Sequence, residues 1–541
     1  MVQRRGPFAR ESTGLVRELS AGAVFSMNFA YLGPAAGITY PLIFAPYLLG
    51  SDWTTAALLG GVLMLPVVLM YFYLSRLVPR SAGDYVYISR SLGGTWGMIQ
   101  VVTNVFVFAS GTAILAQSEL PLVVSPALQA LGASFGDPSL ISVGNALTYS
   151  NIASPLFFGS TLFIIGLATF VTLVRTRWFS RILFGLALLQ IVSTLIMVAA
   201  LLAVGSEAAY SSKFDAVSSF YGGPSYASLA SQLSSRGFSV VATLALMATI
   251  MGFFYLYNNA PTYFAGEVKR AEKNLVAGLI YSYVAATILG VVLAFELQHI
   301  VGESFYDYTS INGWDTSSGA GIPITPTSLL SYVAILLLQN KPLLLLAVGG
   351  ALTWYFLYCI IDIAIPTRVV FALSFDRLMP KAFSRVSDTL HSPYVAGLFV
   401  FGLTVLFDYL ETFAGFSTNG IVQYGINFML WEYLLAAVAA IYIARKGLGG
   451  LVGSQRSGLT ALGAVSAVVL VAASGILIVY GVLTYSSTGF GGALFAGNLP
   501  LNLATIVGLP VAGTLLYRAV KTIRSREGLD VSTVFKEIPP E

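Results

Sequence analysis

Apolar runs long enough to cross a bilayer recur twelve times along this 541-residue chain, and that recurrence constrains its fold more than any other feature. They cover residues 18–49, 54–78, 95–131, 153–176, 179–204, 238–267, 273–299, 342–375, 393–412, 420–444, 458–485 and 498–522. Only 10% of the residues are charged and 56% are hydrophobic; soluble domains carry about 25% charged residues. The chain therefore reads as an all-α polytopic membrane protein with twelve transmembrane helices. The run 326–339 is short and bounded by prolines, so it reads as an external helix lying over the bundle.

Basic residues set the orientation. With the N-terminus inside, all of the 28 lysines and arginines except Lys213, Arg236 and Lys341 fall in cytoplasmic segments, as the positive-inside pattern requires. The layout is a cytoplasmic tail (1–17), five spans (18–204), an external loop (205–237), five more spans (238–444), a final pair (458–522) and a loose cytoplasmic tail (523–541). The external loops 132–152, 205–237 and 300–325 are rich in Ser, Gly, Tyr and acids. A multi-pass protein of the cell membrane with both termini cytoplasmic is expected. Met1 to Ser20 is polar and basic, so no cleavable signal is expected and the first span serves as its own insertion signal.

Two runs are interrupted where a lipid-facing helix should not be. The first carries Tyr31-Leu-Gly-Pro-Ala-Ala-Gly37 and the sixth carries Gly252-Phe-Phe-Tyr-Leu-Tyr-Asn-Asn-Ala-Pro261. Irregular backbone at membrane depth is tolerated only where protein or a cavity satisfies it. Each break opens a set of five spans, and an odd number inverts the second set relative to the first. The pattern predicts a five-plus-five inverted repeat with broken helices 1 and 6. A freed helix N-terminus presents N–H groups and a positive dipole end to a carboxylate, and the opposing half-helix presents carbonyls to a cation. Ser26, Asn28, Gly33, Gly37, Tyr257, Asn258 and Asn259 lie at or near the breaks and are candidate substrate contacts. Phe253, Phe254 and Tyr255 are candidates for an aromatic lid. The plainer alternative is that Gly and Pro only kink these helices for packing.

Of the acids within the runs, Glu119, Asp362 and Glu432 stand out. A carboxylate at membrane depth is costly and marks function by default; the alternative is pairing with a neighbour. Asp408 and Glu411 close the ninth run and read as external. Trp354, Tyr355 and Tyr358 read as packing residues, and Cys359 as a small buried apolar residue. One cysteine and two histidines, His299 and His391, leave no basis for a disulfide or a metal site. No phosphate-binding loop, nucleophile turn or zinc motif occurs, so no catalytic residue and no cofactor is expected. Nor is there a basic patch for nucleic acid beyond the topogenic charges.

The segment Pro79-Arg-Ser-Ala-Gly-Asp-Tyr-Val-Tyr-Ile-Ser-Arg-Ser-Leu-Gly93 resembles the signature between helices 2 and 3 of the amino acid–polyamine–organocation permeases. Glu267-Val-Lys269 and Arg368-Val-Val-Phe-Ala-Leu-Ser-Phe-Asp-Arg-Leu-Met-Pro-Lys381, followed by His391-Ser-Pro393, resemble that family's turns after helices 6 and 8. The resemblance covers spans 1 to 10 and implies the LeuT-type fold, with a central site among helices 1, 3, 6, 8 and 10. It puts a cation site between helix 8 and the first break, which makes Asp362, and after it Glu119, a candidate for coupling to H⁺ or Na⁺. It also implies a cytoplasmic gate built from charges such as Arg17 and Asp376. The family's helix-1 break is altered here to Leu32-Gly-Pro-Ala-Ala-Gly37, and two of its prolines are replaced by Ala271 and Val276, which leaves the substrate open. The implied activity is secondary active transport of amino acids by alternating access. Alternatives are a polyamine or organic-amine transporter of the same fold, or a receptor that binds without transport. The implied partners are a small-molecule substrate and membrane lipid, with no obligate protein partner.

Overall fold

A computed structural model describes residues 17–233, 237–314, 321–387, 389–390, 392–414, 421–447, 451, 453–484 and 499–536. Arg236 and His391 lie outside the described residues. Helices dominate, and among the described residues β-pairing is confined to two isolated bridges, Leu19 with Val268 and Ser81 with Phe264. Among the described residues eleven helices are long and apolar enough to cross a membrane. The first apolar run is not among them, because it is two short helices, α1 (Ala21–Leu32) and α2 (Pro34–Leu42), separated at Gly33. This is an all-α polytopic membrane protein.

The chain marks its helix ends with local chemistry. Asp52 caps α3 (Trp53–Leu77) by accepting the Thr55 N–H at 2.6 Å. The helix α4 (Gly83–Leu92) follows, then α5 (Gly94–Glu119), which runs on through a π-turn to Phe135. Ser154 caps α6 (Pro155–Leu173), which has proline at its first position. The helix α7 (Thr176–Val204) stops at left-handed Gly205. Ser239 caps α8 (Val240–Ile250), whose run ends in the single turn α9 (Ala260–Tyr263). Next come α10 (Ser282–Glu296), then α11 (Lys341–Ala351) and α12 (Trp354–Phe375), which part at Leu352–Thr353. The series closes with α13 (Tyr394–Phe413), α14 (Ile421–Phe428), α15 (Leu435–Lys446), α16 (Gly453–Thr484) and α17 (Leu499–Arg526).

Burial sorts these helices into an inner and an outer set. Of α12, only three residues escape burial, whereas α16 and α6 expose Val468, Phe163 and Phe170 by more than half. Those exposed apolar side chains are what a lipid-facing surface requires. The helix α12 packs along α5, α6 and α13, while α16 lies on α3 and α15 and α17 lies on α5.

Three expectations change. The segments read as external loops fold into helices, Pro138–Ala146, Glu207–Phe220, Tyr226–Ala230 and Glu303–Asn312. In the last three, aromatic residues pack together: Tyr210, Phe214, Tyr226, Phe305 and Trp314 are buried beside Tyr332, with Tyr226 and Phe305 stacked at 4.3 Å. Second, the tail after Arg526 is docked as far as Lys536. Val531 and Phe535 of the helical turn Val531–Lys536 are buried, and Phe535 lies 6.1 Å from Tyr517. Third, Asp408 and Glu411 are buried. Asp408 accepts hydrogen bonds from Gln117 (2.8 Å) and Thr161 (2.8 Å), so α5 and α6 cover it.

Candidate substrate cavity

The first break rests on two glycines. Gly33 has φ +50°, the left-handed region that favours glycine, and Pro34 then restarts the helix with its fixed φ. A Cβ on Gly37 would sit 2.5 Å from the Leu32 carbonyl oxygen and 2.6 Å from the Phe254 ring. Glycine at 37 therefore lets the two broken helices touch. The Leu32 carbonyl accepts the Tyr358 hydroxyl at 2.6 Å. No side chain caps α2, and its first-turn N–H groups at Ala35 and Ala36 have no intrahelical partner.

The second break is made differently. The helix α8 loosens into a π-turn, Met251–Tyr255, and the chain turns over before α9. Side chains then stitch it closed. Asn258 donates to the Tyr255 carbonyl at 2.7 Å, and Thr262 donates to the Asn259 carbonyl at 2.7 Å. The Tyr433 hydroxyl donates to the Leu256 carbonyl.

A narrow cavity lies beside both breaks. Gly37 and Tyr40 bound it from α2, Gly111 and Ile114 from α5, and Phe253 and Tyr257 from the second break. On the remaining side α12 contributes Tyr355, Tyr358 and Asp362. Tyr257 stands edge-on to Tyr31 (4.9 Å) and to Tyr358 (5.3 Å), and Tyr40 lies 5.4 Å from Phe253. The chamber is thus walled by aromatic rings with one carboxyl group in the wall. Asp362 accepts the Tyr31 hydroxyl at 2.7 Å and has no Lys, Arg or His partner among the described residues. Nothing cationic lines the cavity.

Charge pairs close the bundle at the end where α12 terminates. Arg90 grips Asp376 at 2.7 Å, and the Tyr85 hydroxyl donates to the same carboxylate at 2.5 Å. Arg368 pairs bidentately with Glu267 at 2.7 and 3.2 Å, its guanidinium 3.8 Å over the Phe264 ring. Leu19 is strapped to the same turn by backbone bonds to Glu267 and Lys269. Arg17, proposed with Asp376 as a gate, is an exposed residue two positions before that strap.

Two interrupted helices beside a buried aromatic chamber agree with a match of residues 24–495 to the family described as amino acid permease. The chain belongs to that family. This permease is also 23% identical over 513 residues to "Uncharacterized protein 399" of Sulfolobus islandicus rod-shaped virus 1, covering 94% of this chain and 96% of that protein.

The site residues expected from the sequence divide. Gly37, Tyr257 and Asp362 line the cavity, and Gly33 forms the break beside it. Phe254 and Tyr255 are fully buried away from the lining: Phe254 packs on Gly290, and the Tyr255 hydroxyl donates to the Ala57 carbonyl at 2.7 Å. Asn28 donates to Ser282 at 2.9 Å, Asn259 donates to Asp84 at 3.1 Å, and Ser26 is buried in α1. Glu119 accepts the Tyr355 N–H at 2.9 Å, which caps α12 from a neighbouring helix. Tyr355 and Tyr358, read as packing, line the cavity instead. Their spacing with Asp362, at i, i+3 and i+7, puts all three on one helix face, a signal the sequence already carried.

Proposed function

We propose that this permease is a secondary active transporter that moves amino acids across the cell membrane by alternating access. It works through twelve spans in a five-plus-five inverted repeat, with both termini cytoplasmic. The observation that carries this reading is that the uncapped first turn of α2, through Ala36 and Gly37, and the Asp362 carboxyl line one cavity. An α-carboxylate suits the former and an α-ammonium the latter. Asp362 also lies where a coupling H⁺ or Na⁺ would neutralise it, held to the first break through Tyr31. The bidentate Glu267–Arg368 pair, the Arg90–Asp376 pair and the Leu19 strap would then close the cytoplasmic path and part when it opens.

One observation favours a second reading, transport of polyamines or other organic amines. The chamber holds six aromatic rings, one carboxyl and no cationic side chain, which suits an ammonium through charge and ring faces. Uptake of labelled amino acids and polyamines into proteoliposomes, under imposed H⁺ or Na⁺ gradients, tests both. Saturable uptake driven by one gradient is expected. Amine uptake without amino-acid uptake would select the second reading, and binding without flux of either would overturn both.

A further inference from the structure

Asp84 and Glu432 meet in the interior although they are 348 positions apart, and the carrying observation is a count of hydrogen atoms. Asp84 opens α4, and Glu432 lies in the π-turn Met429–Leu434 that joins α14 to α15. Both are 0% exposed. The Tyr263 hydroxyl of α9 lies between them, 2.8 Å from Asp84 Oδ2 and in hydrogen-bond contact with Glu432 Oε1. Asn104 Nδ2 donates to Glu432 Oε1 at 2.8 Å, and Asn259 Nδ2 donates to Asp84 Oδ2 at 3.1 Å. Tyrosine owns one hydroxyl hydrogen and can donate to one carboxylate only. The contact to the other carboxyl needs a hydrogen that no side chain supplies when both acids are ionised.

Charge gives the same answer. The titratable neighbours facing the pair are Tyr71 from α3, Tyr263 from α9 and Tyr433 beside Glu432, while α5 contributes the neutral Gln100 and Asn104. Neither carboxyl has a Lys, Arg or His partner among the described residues. Two touching carboxylates without a cation cannot both stay ionised. The site is also short of hydrogens. Among the described residues Glu432 Oε2, Asn104 Oδ1 and Gln100 Oε1 are buried acceptors without a donor. Burial raises the Asp84 carboxyl above its ordinary range, against the lowering effect of its bonds from Tyr263 and Asn259.

We infer that Asp84, Tyr263 and Glu432 form a proton-binding site, separate from Asp362, that holds one exchangeable proton shared between the two carboxyls. The proton resides as Glu432–OH donating to Tyr263, with Tyr263 donating to Asp84, or as the reverse arrangement. Its partners come from α4, α5, α9 and the π-turn before α15, so the proton is held only while these four elements are together. Parting α4 from the π-turn before α15 separates the carboxyls and releases it.

The test is an infrared titration of the carboxylic C=O stretch in full-length permease in lipid nanodiscs, in H₂O and D₂O. The expected result is a deuterium-sensitive band that titrates in the wild type and is lost in both Glu432→Gln and Asp84→Asn but not in Asp362→Asn. Tyr263→Phe keeps both acids and covers the case of a variant that fails to fold. It should move the midpoint by about one pH unit. A titrating signal unchanged in all three pair variants overturns the inference, as does a wild-type midpoint that shifts when Na⁺ replaces choline, which would make the site a metal-cation site. The readout is protonation and not uptake, so failure here leaves the Asp362 proposal standing, and the converse holds.

Discussion

The two helix breaks look alike in sequence and differ in construction. The first is a single left-handed residue, Gly33, followed at once by a proline. Among the described residues its side-chain seal is the Tyr358 hydroxyl on the Leu32 carbonyl. The second spreads over a π-turn and is stitched by Asn258, Thr262 and Tyr433. Backbone left bare beside a cavity can meet a ligand, whereas backbone satisfied by its own side chains can only move as a joint. On the proposed function, the contrast assigns binding to the first break and hinge motion to the second. That contrast makes opposite predictions for damage at the two places.

The largest effect is expected on the binding side. Asp362→Asn keeps the shape and an acceptor for Tyr31 but removes the charge. Gradient-driven uptake should be abolished while the melting temperature holds, as read in proteoliposomes and by thermal scanning. Uptake that keeps its ion dependence would take the coupling role away from Asp362. On the hinge side the loss should be of stability. Glu267→Gln, just past α9, leaves Arg368 charged, 5% exposed and unpaired. Breaking a buried pair in this way costs about 3–5 kcal/mol, visible as a lowered unfolding midpoint. A variant as stable as the wild type would show that the pair is solvated and does not lock the hinge.

Asn258 decides more narrowly between the two roles. Asn258→Ala orphans the buried Tyr255 carbonyl, at a cost of about 1–3 kcal/mol. If the second break is a hinge, substrate affinity stays where it was. Weaker binding at unchanged stability would mean that Asn258 reaches the substrate after all, and the contrast between the breaks would disappear.

The sequence itself carries this difference only in part. Both breaks were legible, because Gly-Pro and Asn-Asn-Ala-Pro are anomalies that any membrane helix must explain. So was the burial of Asp362, since a carboxylate inside an apolar run has nowhere else to go. What the asparagines bond was not legible. Asn258 satisfies a carbonyl three residues back, whereas Asn259 reaches Asp84 across 175 positions, and nothing local separates the two. Glu432 is the stronger case. It stood out as an intramembrane acid, yet its partners Asn104 and Tyr263 lie 328 and 169 positions away. The aromatic loops misled for the opposite reason: their Ser and Gly content reads as loop, and only tertiary packing of Tyr226 on Phe305 makes them helical.

The smallest effect falls on the one seal of the first break. Tyr358→Phe removes the hydroxyl that occupies the Leu32 carbonyl and leaves the ring in the cavity wall. The hydrogen bond contributes about 1 kcal/mol, so stability should fall by that much. Its effect on binding carries more information than its size. If the substrate's ammonium reaches the Leu32 carbonyl as well as Asp362, freeing that carbonyl removes a competitor, and binding should tighten. If the hydroxyl itself contacts substrate, binding weakens instead. Isothermal titration of the Tyr358→Phe variant with a transported substrate separates the two outcomes. Tightening identifies the first break's backbone as the recognition surface; weakening moves recognition to the side chains of α12.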